Sequence, residues 1–541
     1  MLHLKKIICF TSFVLNFISV FLPQQLNAFS LTEMTTKYFK QYKEYTSGIT
    51  FNYPKNHVLT WEQFETTAKT FVTEHKKTAL KKSESWMKGE APPDDFFTFE
   101  KRYDYHHAYV QKKVIPSGST VFFIGDFHGS LHSLLRILWH FVAAGYIDDT
   151  LKIIKDNCYI VFNGDLVDRG RYSIEVLDTV LQLKLKNWDT VFLLRGNHEE
   201  FVTSKKYGFI DELNAKYGGP KGEKHTFASK LFDFFPMALY LGSGKDAIAG
   251  NKPHFVQCCH GGIEMYEPKD FLDSDDKNIV FEKLPDDKYM GFNWSDFVQN
   301  ATGGIIINNF VRGAGYIADV AATFKYLGTQ NSSIKAFFRG HQDHTHVFKM
   351  FFGSNLGATV EKKIEDLKNI DATKLADVQA KEKLLETQSA KARGYPDGPY
   401  DWRDVFSPED KTEMNANGFL IHKYVPVFTF TTATEARGLN FDSYGKLTTD
   451  NDYKQWRLMP YEFALDETRA GKYATLVYET TDADHHKHVS AVFTDAPPTN
   501  PIPEKLIALT KPSGEDMTNL IKALTQLKDN LKKLSARLLV K

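Results

Sequence analysis

Short apolar runs recur through the middle of the chain, and each stops at a glycine or a cluster of polar, chemically capable side chains. Val121 to Ile124 runs into Gly125-Asp126-Phe127-His128-Gly129, and Cys158 to Phe162 runs into Asn163-Gly164-Asp165-Leu166-Val167-Asp168-Arg169-Gly170. Val191 to Leu194 meets Arg195-Gly196-Asn197-His198-Glu199, Phe255 to Cys259 meets His260-Gly261-Gly262, and Ile334 to Phe338 meets Arg339-Gly340-His341. Runs of this length bounded by glycine read as buried strands, and the leucines spaced through Ser130 to Ala144 and Ser173 to Leu185 read as helices with one buried face. Strand, polar turn and helix in alternation predict an α/β fold. In such a fold the carboxyl ends of the strands open into one crevice. Five of these ends can therefore bring together Asp126, His128, Asp165, Asn197, His260 and His341, a nitrogen and oxygen set suited to divalent cations. A carboxylate shared between two ions is the usual economy of a two-metal site, and Asp165 is the choice for that bridge. Any one of these turns alone could as readily be structural. Their repetition is what carries the reading.

Outside this region the pattern changes. Leu59 to about Met87 is helical, with Thr60 and Gln63 spaced as a capping box. Phe96 to Val114 is aromatic and includes His106-His107, neighbours that point apart on a strand and are expected to pack rather than bind metal. After His341 comes an excursion too long for a simple loop, in which Ala372 to Arg393 is charged and helix-prone. Its apolar stripe is narrow, which suits a solvated surface helix better than an arm that docks a partner. Tyr424 to Thr432, Tyr473 to Thr480 and His488 to Thr494 read as strands, with the histidines at 485, 486 and 488 in a surface hairpin turn. Leucines spaced by fours and threes end the chain in an amphipathic helix, which can dock on its own domain or dimerise. The expected division is a leader at 1–28, a helical and aromatic extension at 29–118, a core at 119–345, a charged helical insertion at 346–420, a β part completing the core at 421–500, and a terminal helix at 501–541.

Composition narrows the function classes. Across 541 residues, 67 lysines and arginines balance 67 aspartates and glutamates, so no global field favours nucleic acid or an anionic membrane. The four cysteines, Cys9, Cys158, Cys258 and Cys259, are mostly in predicted core strands and read as buried thiols rather than a disulfide framework. At the amino terminus, lysines, an apolar stretch from Ile7 to Leu22 and a small residue at Ala28 have the layout of a secretory signal peptide. A secreted or periplasmic protein is expected, with no stable membrane span once the leader is removed.

The blocks GDFHG, GDLVDRG, RGNHE, HGG and RGH, in this order from about Thr120 to His341, resemble the signature of the phosphoprotein phosphatase family, the serine/threonine protein phosphatase type within the calcineurin-like metallophosphoesterases. Tyr207 to Glu212, Asn293 to Asp296 and Arg312 to Tyr316 resemble lesser blocks of the same family. The resemblance implies a metallophosphoesterase sandwich of two mixed β-sheets flanked by helices, here with a helical insertion and extra terminal elements. It implies two divalent ions, manganese first and iron or zinc as alternatives. One would be held by Asp126, His128 and Asp165, the other by Asp165, Asn197, His260 and His341. A hydroxide formed between them would attack phosphorus in line. His198 would be the general acid and Asp168 its orienting partner, together the catalytic pair, while Arg169, Arg312 and Asn197 would contact the substrate phosphate. Arg195 suits either a phosphate clamp or a purely structural place. His341 is preferred over His344 and His346 because it ends the apolar run.

A phosphoprotein or phosphopeptide is the implied substrate, and 346–420 or 513–541 are the segments that could engage a protein partner. The family carries a tyrosine where this chain has Thr432 to Asn440, TATEARGLN. Its loss weakens the expected preference for phosphoserine and phosphothreonine and opens the door to phosphotyrosine. Two alternatives stand beside this reading: a dinucleoside polyphosphate hydrolase of the same superfamily, and an exported protein that acts by interaction through its insertion.

Overall fold

The computed structural model describes residues 29–45, 53, 58–82, 97, 108–243, 254–266, 268–274, 280–297, 304–327, 333–342, 348–350, 418–423, 427–432, 441–464, 473–481 and 487–494. The leader, His106, His107, His344, His346, His485, His486, the stretch 372–393 and the terminal helix all lie outside the described residues. Strands β1 (Tyr109–Ile115), β2 (Thr120–Ile124), β3 (Cys158–Phe162), β4 (Val191–Leu193), β5 (Ala238–Ser243), β6 (Phe255–Cys259) and β7 (Phe281–Lys283) come first. A small group follows, β8 (Asp296–Phe297), β9 (Ile307–Asn308) and β10 (Tyr316–Ala318). Then come β11 (Ile334–Arg339), β12 (Phe348–Met350), β13 (Phe419–Leu420), β14 (Val427–Phe430), β15 (Phe441–Thr448), β16 (Arg457–Ala464), β17 (Tyr473–Thr481) and β18 (Lys487–Thr494).

Two mixed sheets make the core. One runs β12-β14-β11-β6-β5-β1-β7 and the other β13-β16-β15-β2-β3-β4. The central strands β2, β3, β4 and β14 are largely apolar on both faces, as strands covered on both sides must be. Alternate residues divide the work. Val121, Phe123, Val161 and Phe192 of one sheet meet Leu239, Val256, Ala336, Phe338 and Phe428 of the other in a single buried cluster. Phe123 stacks on Phe338 with ring centroids 4.1 Å apart. Phe122, Ile124, Ile160 and Phe162 face the other way, against Leu134, Leu138, Val176 and Val180 of the helices Leu131–Ala143 and Ser173–Lys186. The far face of the first sheet is covered by Phe271, Phe292, Ala322 and Tyr326. At about 1.5–3 kcal/mol for each large apolar side chain removed from water, these layers are the main stabilising term.

Cys158, Cys258 and Cys259 are buried free thiols, as expected from their strand positions. Thr60 and Gln63 form the anticipated reciprocal cap, Thr60 N–H donating to Gln63 Oε1 at 3.0 Å and Gln63 N–H to Thr60 Oγ1 at 3.3 Å. That helix ends at Lys82. Within the strand expected over Tyr424 to Thr432, the described residues place β14 at Val427–Phe430. His488 belongs to β18 rather than to the hairpin turn, and β12, inside the stretch expected to be an insertion, extends the first sheet by pairing antiparallel with β14.

A buried histidine outside the crevice makes a stability prediction. His132 lies against Tyr38 with ring centroids 6.3 Å apart, and neither ring nitrogen has a hydrogen-bond partner among the described residues. Burial, with the charge of Arg136 adding to it, lowers its pKa to about 3. The folded pKa lies below the unfolded one, so the native state refuses a proton that the unfolded chain accepts. Its contribution to stability is intact above the unfolded value and lost as pH falls from there toward 3. The His132→Leu variant is therefore expected to gain about 2 kcal/mol more over the parent at pH 5 than at pH 7.5, measured by calorimetric unfolding at both pH values. An equal gain at both would remove the assigned titration.

Candidate active site

Five strand ends, from both sheets, deliver the polar groups to one edge of the sandwich. Asp126 and His128 follow β2, Asp165 follows β3, and Asn197 follows β4, while His260 and His341 follow β6 and β11 across the sheet interface. The turns are bent hard to do this. Asp126, His128, Asp165, Asp168, Arg169 and His341 all have positive φ, between 41° and 75°, and they are six of the eight non-glycine residues with positive φ among those described. Each costs about 1 kcal/mol or more relative to ordinary backbone, a burden concentrated where chemistry is expected. Glycine supplies the close approaches. A Cβ on Gly196 would stand 2.2 Å from Asp165 Oδ1, and one on Gly340 would stand 2.1 Å from Asp126 Oδ1.

Asp165 is the hub. Its Oδ2 lies 3.1 Å from His260 Nε2, 3.5 Å from His128 Nε2 and 4.0 Å from His198 Nε2, and its Oδ1 accepts the His198 backbone N–H at 2.9 Å. His260 Nε2 also stands 2.9 Å from Asn197 Oδ1 and 3.1 Å from His341 Nδ1. With its amide turned the other way, Asn197 donates to both Asp165 oxygens at 3.1 Å and to His260 Nε2 at 2.9 Å. Asp126 accepts the His341 backbone N–H on both oxygens, at 3.0 and 2.9 Å, and its Oδ1 is 3.5 Å from His260 Nδ1. Two groups of ligand atoms are compact enough to hold an ion each: His128, Asp165 and His198, and Asp126, Asp165 and His260. They share Asp165.

The electrostatics favour positive charge here. Burial opposes a charged Asp165, but the facing charges of His260 and His198 hold its carboxyl well below the usual range. Burial likewise opposes a charged His260, yet Asp165 and Asp126 outweigh it and raise that imidazole to about 9. His128 and His341 are pushed well below the ordinary value by burial, so they offer neutral nitrogen lone pairs, as metal ligands must. Lone pairs of nitrogen and oxygen converging on a buried field that attracts protons fit a divalent cation. No thiolate takes part, which separates the set from structural zinc sites.

His198 sits beside this cage. Its Nδ1 is 2.6 Å from Asp168 Oδ2, and Asp168 Oδ1 accepts the Phe209 N–H at 3.0 Å. Nε2 is thus left facing Asp165. Burial raises the Asp168 carboxyl despite the bond from His198. Of the expected phosphate contacts, Arg169 is exposed at the rim, with Nη1 2.9 Å from His128 Nε2 and its guanidinium 5.7 Å over the Tyr207 ring. Arg312 Nε donates to Asp296 Oδ2 at 2.6 Å, and Asp296 Oδ1 lies 3.5 Å from His341 Nε2. Arg195 points away, bonding Phe232 O at 2.8 Å and Asp233 Oδ1 at 3.0 Å. Its place is structural.

Four residues with no assigned role in the sequence reading shape the site. Glu199 accepts the backbone N–H groups of Asp165, Leu166, Val167 and Gly196 at 2.7, 2.8, 3.3 and 2.8 Å, clamping one ligand turn to the next; burial and the charge of Asp165 push its carboxyl up to about 7. Asp296 orients Arg312. Arg339 bonds the carbonyls of Gly261 and Ser295 and pins the ends of β6 and β11. Tyr53, from the amino-terminal extension, donates to Gly208 O at 3.2 Å, beside the turn whose Tyr207 O accepts the Arg169 N–H at 3.0 Å. Glu199, Asp296 and Arg339 were visible inside the motifs, but their partners are distant in sequence. Nothing in the sequence signalled Tyr53. Behind them, Lys216 bridges Glu175 at 2.6 Å and Glu212 at 2.9 Å, all fully buried, and Glu212 accepts the Ser173 N–H at 3.0 Å. This ties the helix Phe209–Tyr217, and with it the Asp168 contact, to the helix Ser173–Lys186.

Residues 119–344 match the calcineurin-like phosphoesterase family. The chain is 32% identical over 253 residues to the serine/threonine-protein phosphatase 6 catalytic subunit of Caenorhabditis elegans, covering 46% of this chain and 66% of that one. It is 33% identical over 235 residues to the serine/threonine-protein phosphatase 4 catalytic subunit of Kluyveromyces lactis, covering 43% and 65%. In both cases it spans just under two thirds of the relative's length. A solved protein serine/threonine phosphatase from Saccharomyces cerevisiae is similar at a TM-score of 0.38 with 18% identity, over 64% of this chain and 82% of that one.

Proposed function

Because residues 119–344 belong to the calcineurin-like phosphoesterase family, we propose that this chain is a metal-dependent phosphoprotein phosphatase that hydrolyses phosphoserine and phosphothreonine monoesters. The observation that carries the reading is the position of Asp165, common to two compact groups of ligand atoms. By the family's pattern Asp126, His128 and Asp165 would hold one divalent ion, and Asp165, Asn197, His260 and His341 the other; the compact groups share Asp165 but place Asp126 with His260 and His128 with His198. Manganese is the first choice, and iron or zinc fit the same donors. Such ions lower the pKa of water toward neutrality and offset charge on phosphoryl oxygens.

The chain's own groups do the rest. His198, oriented through Nδ1 by Asp168, carries on Nε2 the proton that the departing alkoxide needs. Arg169 and Arg312 offer planar guanidinium forks that match the non-bridging phosphate oxygens, and Asp296 keeps the second of these aimed. Asn197 serves both ion and substrate. Its neighbour Glu199 holds the ligand turns in register through four backbone N–H groups, so the phosphate meets a site already arranged.

The test is phosphate release by the full-length, manganese-loaded protein from phosphoserine, phosphothreonine and phosphotyrosine peptides and from diadenosine tetraphosphate. Release from the first two, abolished by a chelator and restored by manganese, is the expected outcome. Turnover of the dinucleotide alone, or indifference to the chelator, would overturn it. Phosphotyrosine is included because Thr432 to Asn440 contains no tyrosine. Among the described residues no helix is long and apolar enough to cross a membrane. Export through the leader 1–28, to a periplasm or the exterior, is part of the proposal; amino-terminal sequencing of the cell-exported protein should begin near Phe29.

A further inference from the structure

Immediately before Arg312 the chain does something a turn rarely does. The hairpin of β9 and β10, paired Asn308 to Tyr316 and Ile307 to Ile317, carries at its tip Phe310 and Val311, whose exposures are 83% and 92%. Turn tips ordinarily hold glycine, asparagine, aspartate or serine. Ile305, just before β9, is half exposed as well. Scattered apolar residues on a surface mean little, but adjoining ones on a single hairpin mark a contact surface.

The base of this hairpin is fastened to the site. Gly313 N–H donates to Asn309 O at 2.9 Å and Arg312 N–H to Asn309 Oδ1 at 3.2 Å, closing the turn. Asn309 Nδ2 and Arg312 Nε both donate to Asp296 Oδ2, at 2.8 and 2.6 Å, and Asp296 Oδ1 faces His341 Nε2 at 3.5 Å. The apolar tip and the candidate phosphate-binding guanidinium therefore belong to one anchored unit. Adjacent Cα atoms are about 3.8 Å apart, so Val311 and Phe310 stand no more than about 4 and 8 Å from the Arg312 backbone. An extended peptide advances about 3.3 Å per residue. The guanidinium lies a side chain's length beyond that backbone, so an extended peptide with its phosphate there spans to the tip within a few residues.

We infer that Phe310 and Val311 form a docking surface for apolar side chains flanking the phosphorylated residue of a phosphopeptide, and so select the substrate class. This rests on the phosphatase reading. Peptide recognition suits the tip because its surface continues directly from a group that binds phosphate, and because partial burial of a phenylalanine and a valine is enough for roughly tenfold discrimination.

The experiment uses the full-length, manganese-loaded protein, its Phe310→Ser/Val311→Ser variant, and two phosphoserine peptides, one flanked by leucines and one by glycines. Non-hydrolysable phosphonate versions are titrated in parallel by fluorescence anisotropy. Wild type is expected to prefer the leucine peptide about tenfold in kcat/KM and in affinity. The double variant should lose that preference and keep its activity on the glycine peptide; both residues are too exposed to matter greatly for folding. Equal treatment of the peptides by wild type, or an unchanged preference in the variant, overturns the inference. If neither peptide is hydrolysed but the leucine phosphonate still binds about tenfold tighter through Phe310 and Val311, the docking surface stands and the phosphatase reading falls. A tip-dependent dimer without peptide discrimination would reassign the surface to a second copy. Tip-dependent binding to phosphatidylcholine vesicles without such discrimination would reassign it to lipid.

Discussion

Asp165→Asn is expected to lower kcat/KM on a phosphoserine peptide at least a thousandfold while leaving a folded protein. The change is nearly isosteric, and the new amide oxygen can still accept the His198 backbone N–H that Asp165 Oδ1 accepts at 2.9 Å. What disappears is the negative charge set between His128, His260 and His198. Lewis-acid stabilisation is worth several kcal/mol, and about 4 kcal/mol corresponds to a factor near a thousand. Because both ligand groups use this carboxylate, the bound metal measured by elemental analysis should fall for both ions together. A variant that keeps two metals and a tenth of the activity would refute the shared role of Asp165.

His198→Gln separates proton transfer from metal binding. His198 is held through Nδ1 by Asp168 at 2.6 Å, and a donor in its place is worth about 10²–10⁴ in rate. The expected result is a fall of that size in kcat on phosphoserine peptides with little change in KM. The fall should be much smaller on p-nitrophenyl phosphate, whose leaving group departs without a proton. Equal losses on both substrates would mean that His198 acts as a metal ligand, the alternative its distance of 4.0 Å from Asp165 Oδ2 also permits. Metal content distinguishes the two a second time: retained for an acid, reduced for a ligand.

These predictions depend on side chains that were readable as a list before any coordinate. Each predicted ligand follows an apolar run that stops at a polar turn, because a buried strand and its abrupt end are local events written in consecutive residues. The runs Cys158 to Phe162 and Phe255 to Cys259 coincide with β3 and β6 to the residue. The role of Glu199, by contrast, is not legible in sequence, since it depends on where four backbone N–H groups of two different turns fall in space. Arg195 shows the opposite case. Its motif left two roles open, and only the position of Phe232 O and Asp233 turned it inward.

By itself, then, the order of residues determined the α/β class, the strands and the identity of the groups at their ends, because apolar periodicity and glycine breaks act over a few neighbouring positions. Tertiary structure decided what those groups do to one another. Two sheets had to close face to face before β6 and β11 could bring His260 and His341 against Asp165 and Asp126, raising one imidazole and lowering another by burial and facing charge. The same closure placed the Phe310-Val311 tip beside the site, through Asp296, which binds Arg312 and faces His341. Distances between residues far apart in the chain set these interactions, and such distances exist only once the chain is folded.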